Sequence, residues 1–432
     1  MNIDIPLLAN CDSHGEHMHS GVVTSVAFHP TAPLLATGSR DNTVKIWDLS
    51  PDNKSATCVV TLAGHIDYVT SVTFHPTATT PPLLASGSRD NTVKLWHLSP
   101  DSTSCVATLE GHTGHVNSVA FHPTEPLLAT GSQDKTVKLW LMSSDNSSAT
   151  CVATLADHLA PVYSVAFHPT EPLLATGSGD TTVRVWRISL SAATCVGGLV
   201  LPVSPGNGGY KRAVTSVTFH PTAPLLATGS ADHTVRLWRL SDNKCLAILN
   251  RRNRGHSDHV TSVAFHPTAP ILVTGSWDKT VKLWLLSRDN SSANCVATLE
   301  HSGHVTSVAF HPTAPLLATG SGSIAKVWDC MQLTDRWQRM RALLEEGAMR
   351  KALIRQLGRD PSVHPVSQEF ALEKYYKILS DATATNSLNL GPVADRLQEF
   401  PPNKRTNRKH TDGGSRRRKI KAKPKSVKRK RK

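Results

Sequence analysis

The chain has 432 residues and a formal net charge of +14, room for two or three ordinary domains or for one repeat array. The charge is unevenly spread: residues 401 to 432 carry 16 Lys or Arg against the single Asp412, so the first 400 residues sum to about −1. No apolar run approaches the ~18 residues of a membrane span, and "MNIDIPLLAN" has neither a basic start nor a full apolar stretch, so membrane insertion and secretion are not expected.

Residues 1–18 read as a polar leader. Within it "CDSHGEHMH" places Cys11, His14, His17 and His19 close together, a spacing able to hold zinc or copper. No second cysteine pair accompanies them, so no metal and no cofactor is expected. From residue 25 the text "SVAFHPTAPLLATGSRDNTVKIW" begins, and it returns six more times with few changes. Val26 and Phe28 alternate with Ser25 and Ala27, which predicts a strand. "HPT" ends it, because proline removes a backbone donor and restricts the residue before it. "LLATGS" predicts a second strand, "SRDNT" a turn, "VKIW" a third strand and "CVVTL" a fourth, each near the usual strand length. The phenylalanines mark the period: Phe28, Phe74, Phe121, Phe167, Phe219, Phe265 and Phe310. The tryptophans keep pace at Trp47, Trp96, Trp140, Trp186, Trp238, Trp284 and Trp328.

Four strands per unit, with a Gly-His before the first and a Trp closing the third, resemble the WD40 repeat over residues 19–332. The resemblance implies an all-β, seven-bladed propeller around a central channel, since one blade alone cannot bury both of its faces. It also implies that the N-terminus supplies the outer strand of the last blade, with Ile3 to Leu8 as the candidate. A His, Ser/Thr, Asp, Trp tetrad per blade follows from the same resemblance. It is complete at His19, Thr37, Asp41, Trp47; at His65, Ser86, Asp90, Trp96; and at His112, Thr130, Asp134, Trp140. His158, Thr176, Asp180, Trp186 and His256, Thr274, Asp278, Trp284 complete it in blades four and six. Blade five offers Tyr210 in place of the histidine, and blade seven, "TGSGSIAKVW", lacks the aspartate. Those two blades are expected to be less rigid.

His and Asp at fixed spacing near Ser or Thr invite a catalytic reading, but a set repeated in every blade is structural, because catalysis needs one special copy. The "FHPT" histidines, His29 through His311, fall on seven separate turns and cannot share a metal. Six cysteines, Cys58, Cys105, Cys151, Cys195, Cys245 and Cys295, recur once per unit. Cysteines on different units do not pair, which fits a reducing compartment. No enzyme and no small-molecule substrate is expected.

If the repeated residues build the scaffold, specificity belongs to those that vary. The resemblance places the partner-binding face at the residue before the tetrad Asp and at residues one and three after the tetrad His. The first position reads Arg40, Arg89, Gln133, Gly179, Ala231 and Trp277; the last reads Val22, Tyr68, His115, Pro161, Ala213, His259 and His304. The candidate rim for a protein partner is therefore Arg40, Tyr68, Arg89, His115, His259, Trp277 and His304, the aromatic and arginine mixture common at interaction hot spots. "GNGGYKR" adds Lys211 and Arg212, and "NRRNRGH" adds Arg251, Arg252 and Arg254.

Residues 333–400 change period and predict a short helical appendage, from "LTDRWQRMRALLEEGAMRKALIRQLGRD" and "VSQEFALEKYYKIL". Residues 401–432 have no apolar core, which predicts a disordered basic tail. Its clusters, Arg416, Arg417, Arg418, Lys419, Lys421 and Lys423, then Lys428, Arg429, Lys430, Arg431 and Lys432, suit nuclear import or the coating of RNA or DNA phosphates. With no aromatic residue to stack on bases, such binding is expected to ignore sequence. The expectation drawn from all of this is a non-enzymatic scaffold in the nucleus, with the nucleolus as the finer candidate, in a ribonucleoprotein (ribosome biogenesis) or chromatin assembly. The alternative is a substrate-recognition subunit of a ubiquitin ligase complex. Against it, the residues before the ring hold no F-box-like segment, and a W-D-x-R signature fails at "WDLS" and "WDCM".

Overall fold

The computed structural model describes residues 5–11, 18–77, 81–99, 103–189, 192–200 (backbone only), 212–287 and 289–331. The described residues all belong to the first of the chain's two units, Met1–Ala342. The expected appendage and tail, residues 333–432, lie outside the described residues, as do Tyr210 and Lys211.

Seven four-stranded antiparallel sheets make a seven-bladed propeller. Blade one runs through Val23–Phe28, Leu34–Ser39, Val44–Leu49 and Ala56–Leu62, each strand pairing with the next. The inner strands of blades two to seven start at Val69, Val116, Val162, Val214, Val260 and Val305. Blade seven takes its outer strand from the other end of the chain: Leu7–Asn10 pairs antiparallel with Ile324–Asp329, with Leu7 opposite Trp328 and Asn10 opposite Lys326. The strand lies later than Ile3 to Leu8. Past a bulge between Leu7 and Ala9, the alternate residues Ala9 and Cys11 are both buried in the core shared with blade one, which favours this register.

The turns explain the repeated letters. In "FHPT" the His29 backbone N–H donates to the Leu34 carbonyl at 2.8 Å, and its Nδ1 accepts from the Ala32 N–H at 2.8 Å. The histidine pins the proline turn from within. In "SRDNT" the Asp41 carboxylate accepts from the Thr43 N–H and hydroxyl at 3.0 and 2.7 Å, an Asx turn. Asn42 occupies the left-handed region at φ 70°, where Asn is among the best tolerated side chains.

The core is not central. It is divided into seven apolar clusters, one at each seam between successive blades. Close approach there requires the glycine of "TGS": a Cβ on Gly131 would lie 2.7 Å from Val162 Cγ1, and the equivalent glycines of the other six blades meet the next blade's valine at 2.7–2.9 Å. The serine of "SVAF" stitches the same seams. Ser25 Oγ accepts from the Val72 N–H at 3.0 Å, and the series continues around the ring until Ser307 Oγ accepts from Val26 at 3.1 Å. Each "FHPT" imidazole also packs against the next blade's phenylalanine, from His29 on Phe74 to His311 on Phe28, with centroids 4.8–5.0 Å apart. Closure is therefore written into every repeat, since each carries both halves of a seam.

Among the described cysteines, Cys58, Cys105, Cys151, Cys245 and Cys295 are free thiols on separate blades, each opposite its blade's tryptophan. No described helix is long and apolar enough to cross a membrane.

Candidate functional site

The tetrads come first, because they hold the rim in place. His65 Nδ1 lies 2.7 Å from Asp90 Oδ2, its Nε2 lies 2.8 Å from Ser86 Oγ, and Trp96 Nε1 donates to that oxygen at 2.8 Å. His112, Thr130, Asp134 and Trp140 repeat the chain at 2.7, 2.7 and 2.9 Å. The sets in blades one, four and six match these distances to within about 0.2 Å. Burial alone would raise the Asp90 and Asp134 carboxyls, but hydrogen bonds from the histidine and from Thr92 or Thr136 outweigh it. Both are held well below the usual carboxylate range. Every polar atom faces a partner inside its own blade, which suits a clamp and leaves no nucleophile turned outward.

Blade five holds its aspartate in another way. Arg236 turns inward and donates from Nη2 to Asp232 Oδ2 at 2.7 Å, so a guanidinium holds the aspartate. In blade seven His301 Nε2 and Trp328 Nε1 both reach Thr319 Oγ1 at 2.9 Å, and the aspartate's place in the turn is taken by Gly322 at φ 57°.

The variable positions converge at the same end of each blade. The N–H before the tetrad Asp donates to the carbonyl three after the tetrad His: Arg40 to Val22, Arg89 to Tyr68, Gln133 to His115 and Trp277 to His259, at 2.8–3.0 Å. Two groups form. In one, the Arg40 and Arg89 guanidiniums lie 5.8 and 4.9 Å from the Tyr68 ring centroid, so blades one and two share an aromatic face flanked by cations. In the other, Trp277 stacks on His259 at 4.7 Å and meets His304 of blade seven at 5.6 Å, while His304 Nδ1 reaches the Trp277 carbonyl at 2.5 Å. Trp277 is nevertheless 42% exposed, whereas Trp47 and Trp284 are at most 1% exposed. His115 is half-buried and joins neither group in a ring or ion contact. Arg251, Arg252 and Arg254 are exposed on the connector into blade six, where Arg251 Nη2 donates to the Ser257 carbonyl at 2.8 Å.

Four rim residues went unread. Ile66 and Leu159, 85% and 79% exposed, stand one after the tetrad histidine, a position already marked for the partner face but not read out residue by residue. His233 and Asp258 adjoin His259, with His233 ring to His259 ring at 5.6 Å. The signal for His233 was a departure from the repeat, "ADHT" against "RDNT", whereas Asp258 gave none, since "GHSDHV" and "GHIDYV" share that aspartate.

The family described as WD domain, G-beta repeat, matches residues 10–48, 56–97, 103–140, 149–187, 204–239, 243–284 and 293–329. The chain belongs to the WD40 family. As a WD40 propeller it is of the protein-interaction scaffold type. It is similar to the nuclear distribution protein nudF of Aspergillus flavus, 51% identical over 45 residues, 10% of this chain and 9% of that protein. It is also similar to the nuclear distribution protein PAC1 of Arthroderma otae, 40% identical over 57 residues, 13% of this chain and 11% of that protein. The matches span about a tenth of these relatives' length, close to one WD40 repeat. Their name concerns the distribution of nuclei and not residence inside them, which overturns the nuclear or nucleolar location expected from the tail.

Proposed function

We propose that this WD40 protein is a non-enzymatic scaffold that captures a protein partner on the arc of rim running from blade five through blade seven to blade two. The observation that carries the reading is Trp277: the repeat buries seven tryptophans, and this eighth one is exposed and clamped between two histidines; the Arg40, Tyr68, Arg89 group adds a second aromatic and cationic face on the same ring. Large aromatic and arginine side chains fixed in place lose little entropy on binding and dominate interface energies. The partner's chemistry follows: an apolar or aromatic side chain for Trp277, and carboxylates for Arg40 and Arg89. Affinity capture from cell extract compares the wild type with Trp277→Ala combined with Arg89→Ala. Partner recovery is expected to fall by at least about thirtyfold in affinity, the equivalent of ~2 kcal/mol. Unchanged recovery would remove the rim from the account.

The basic tail adds a second, unspecific contact with RNA or DNA phosphates in this reading. Deleting residues 401–432 is expected to abolish nucleic-acid retention on a phosphate column of mixed sequence. The retained wild type should elute steeply with salt, because each neutralised phosphate releases counterions. Equal retention after deletion would place the contact on the propeller's arginines instead. The ribonucleoprotein and chromatin assemblies rested on a nuclear address and are not carried forward.

A further inference from the structure

We propose that His233, Asp258 and His259 form a binding site for a divalent first-row transition cation, with zinc as the one to test, at the seam between blades five and six. The inference does not depend on partner capture. One ligand atom from each of the three lies within 4.8 Å of the others, and His233 Nε2 stands 4.0 Å from Asp258 Oδ1.

The donors come from two blades. His233 is in the turn between the second and third strands of blade five, in the left-handed region at φ 70°. Asp258 and His259 are in the connector that leads into Val260–Phe265 of blade six. Two of the three are already fixed. The His259 N–H donates to Asp258 Oδ1 at 2.7 Å, and Ser276 Oγ donates to the Asp258 carbonyl at 3.1 Å. The Trp277 N–H donates to the His259 carbonyl at 3.0 Å, and the Trp277 ring lies against the imidazole. Asp258 Oδ1, the oxygen nearest His233, thus spends one lone pair on the backbone and keeps the other for a cation. The His233 side chain is 41% exposed, so it rotates toward the fixed pair without disturbing the core.

The donor set decides the class of ion. Two imidazoles and a carboxylate suit zinc and its neighbours, whereas calcium and magnesium take oxygen. Bonds of about 2.0–2.2 Å put tetrahedral ligand atoms roughly 3.3 Å apart, so the cluster closes by somewhat over about 1 Å, a side-chain rotation. Three ligands leave at least one coordination position open, next to Trp277 on the rim. Among the described residues, the equivalent seams lack the set. The corresponding repeat positions hold Asn42 with Asp67 and Tyr68, Asn91 with Gly114 and His115, Lys135 with Ala160 and Pro161, and Lys279 with Gly303 and His304. An ion here would clasp blade five, whose tetrad histidine is replaced, to blade six. Arg251, hydrogen-bonded to the Ser257 carbonyl beside Asp258, is a neighbouring cation that opposes it.

The test uses the full chain stripped by chelation and titrated with zinc chloride by calorimetry, with melting followed in parallel. His233→Asn is the main variant, since Asn holds the same left-handed turn position at Asn42 and Asn91; His259→Tyr copies the residue at Tyr68. His14→Ala with His17→Ala removes the other histidines able to take zinc near the N-terminus. The expected result is one zinc per chain and a raised melting temperature, both kept in the N-terminal variant. In His233→Asn and His259→Tyr the affinity falls at least about tenfold and the stabilisation is lost. No zinc binding by the wild type, binding unchanged in His233→Asn, or binding lost only in the N-terminal variant would each overturn the site.

Discussion

Trp140→Ala is expected to destabilise the propeller by about 3–5 kcal/mol. The indole is buried in the seam between blades two and three with Leu95, Val116, Phe121 and Leu128, and its Nε1 donates to Thr130 Oγ1 at 2.9 Å. Truncation opens a cavity in one of seven small cores and removes a donor from the tetrad. Trp140→Phe separates the two causes, because it keeps most of the apolar contact and removes the N–H, for about 1 kcal/mol. Melting temperatures of the two variants check this. Equal shifts would mean that packing at the seam contributes little.

Acidification is expected to loosen all seven seams together. Burial lowers the affinity of His29, His75, His122, His168, His220 and His311 for a proton, and pushes His266 down to about 4. His301, buried beside Lys326, is also lowered to about 4. Glu125 and Glu171 partly offset the effect at His122 and His168. A histidine whose folded value lies below its unfolded value of ~6.5 binds protons better when unfolded, so stability rises with pH across that interval. Its contribution is complete above ~6.5 and is lost as pH falls toward about 4, amounting to roughly 3 kcal/mol each at His266 and His301. The buried Nε2 of His266 has no partner among the described residues, so a proton placed there finds no acceptor. The melting temperature should fall continuously between pH 7 and pH 4.5, before the tetrad aspartates titrate. A profile flat down to pH 5 would contradict the burial argument.

How much of this the letters carry depends on whether a residue repeats. The strands, the turns, the seven-fold count and the tetrads were legible because each is stated up to seven times, and alternation and turn chemistry act within a few residues. The seam functions of Ser25, Gly131 and His29 were not, although these residues repeat just as faithfully, because their partners lie one blade away. The sequence spaces Ser25 and Val72 47 residues apart, and only the closed ring brings them to 3.0 Å. Arg236 was missed for another reason. Nothing in "HTVRLW" distinguishes an arginine turned toward Asp232 from the lysines that donate to the fourth strand in other blades, Lys45 to Thr61 and Lys94 to Thr108. On the rim, the family's positions led to Trp277 and Arg89, while His233 and Asp258 stand just beside those positions and meet only through the curvature of the ring. The location inferred from the tail failed because charge alone states an affinity for phosphate or for a receptor, not an address.

The division between repeated scaffold and variable rim is tested most directly by measuring melting temperature and partner capture on the same preparations of Trp277→Ala and Asp90→Ala. Asp90→Ala strands the His65 ring nitrogen and the Thr92 hydroxyl and N–H that its carboxylate now accepts, at a cost of about 1–3 kcal/mol. Trp277 is exposed and bonds to its neighbours through its backbone, which alanine retains. The account predicts that Asp90→Ala melts several degrees lower and, while folded, still captures the partner, whereas Trp277→Ala melts near the wild type and loses it. A Trp277→Ala protein that melts as low as Asp90→Ala and keeps its partner would contradict the account.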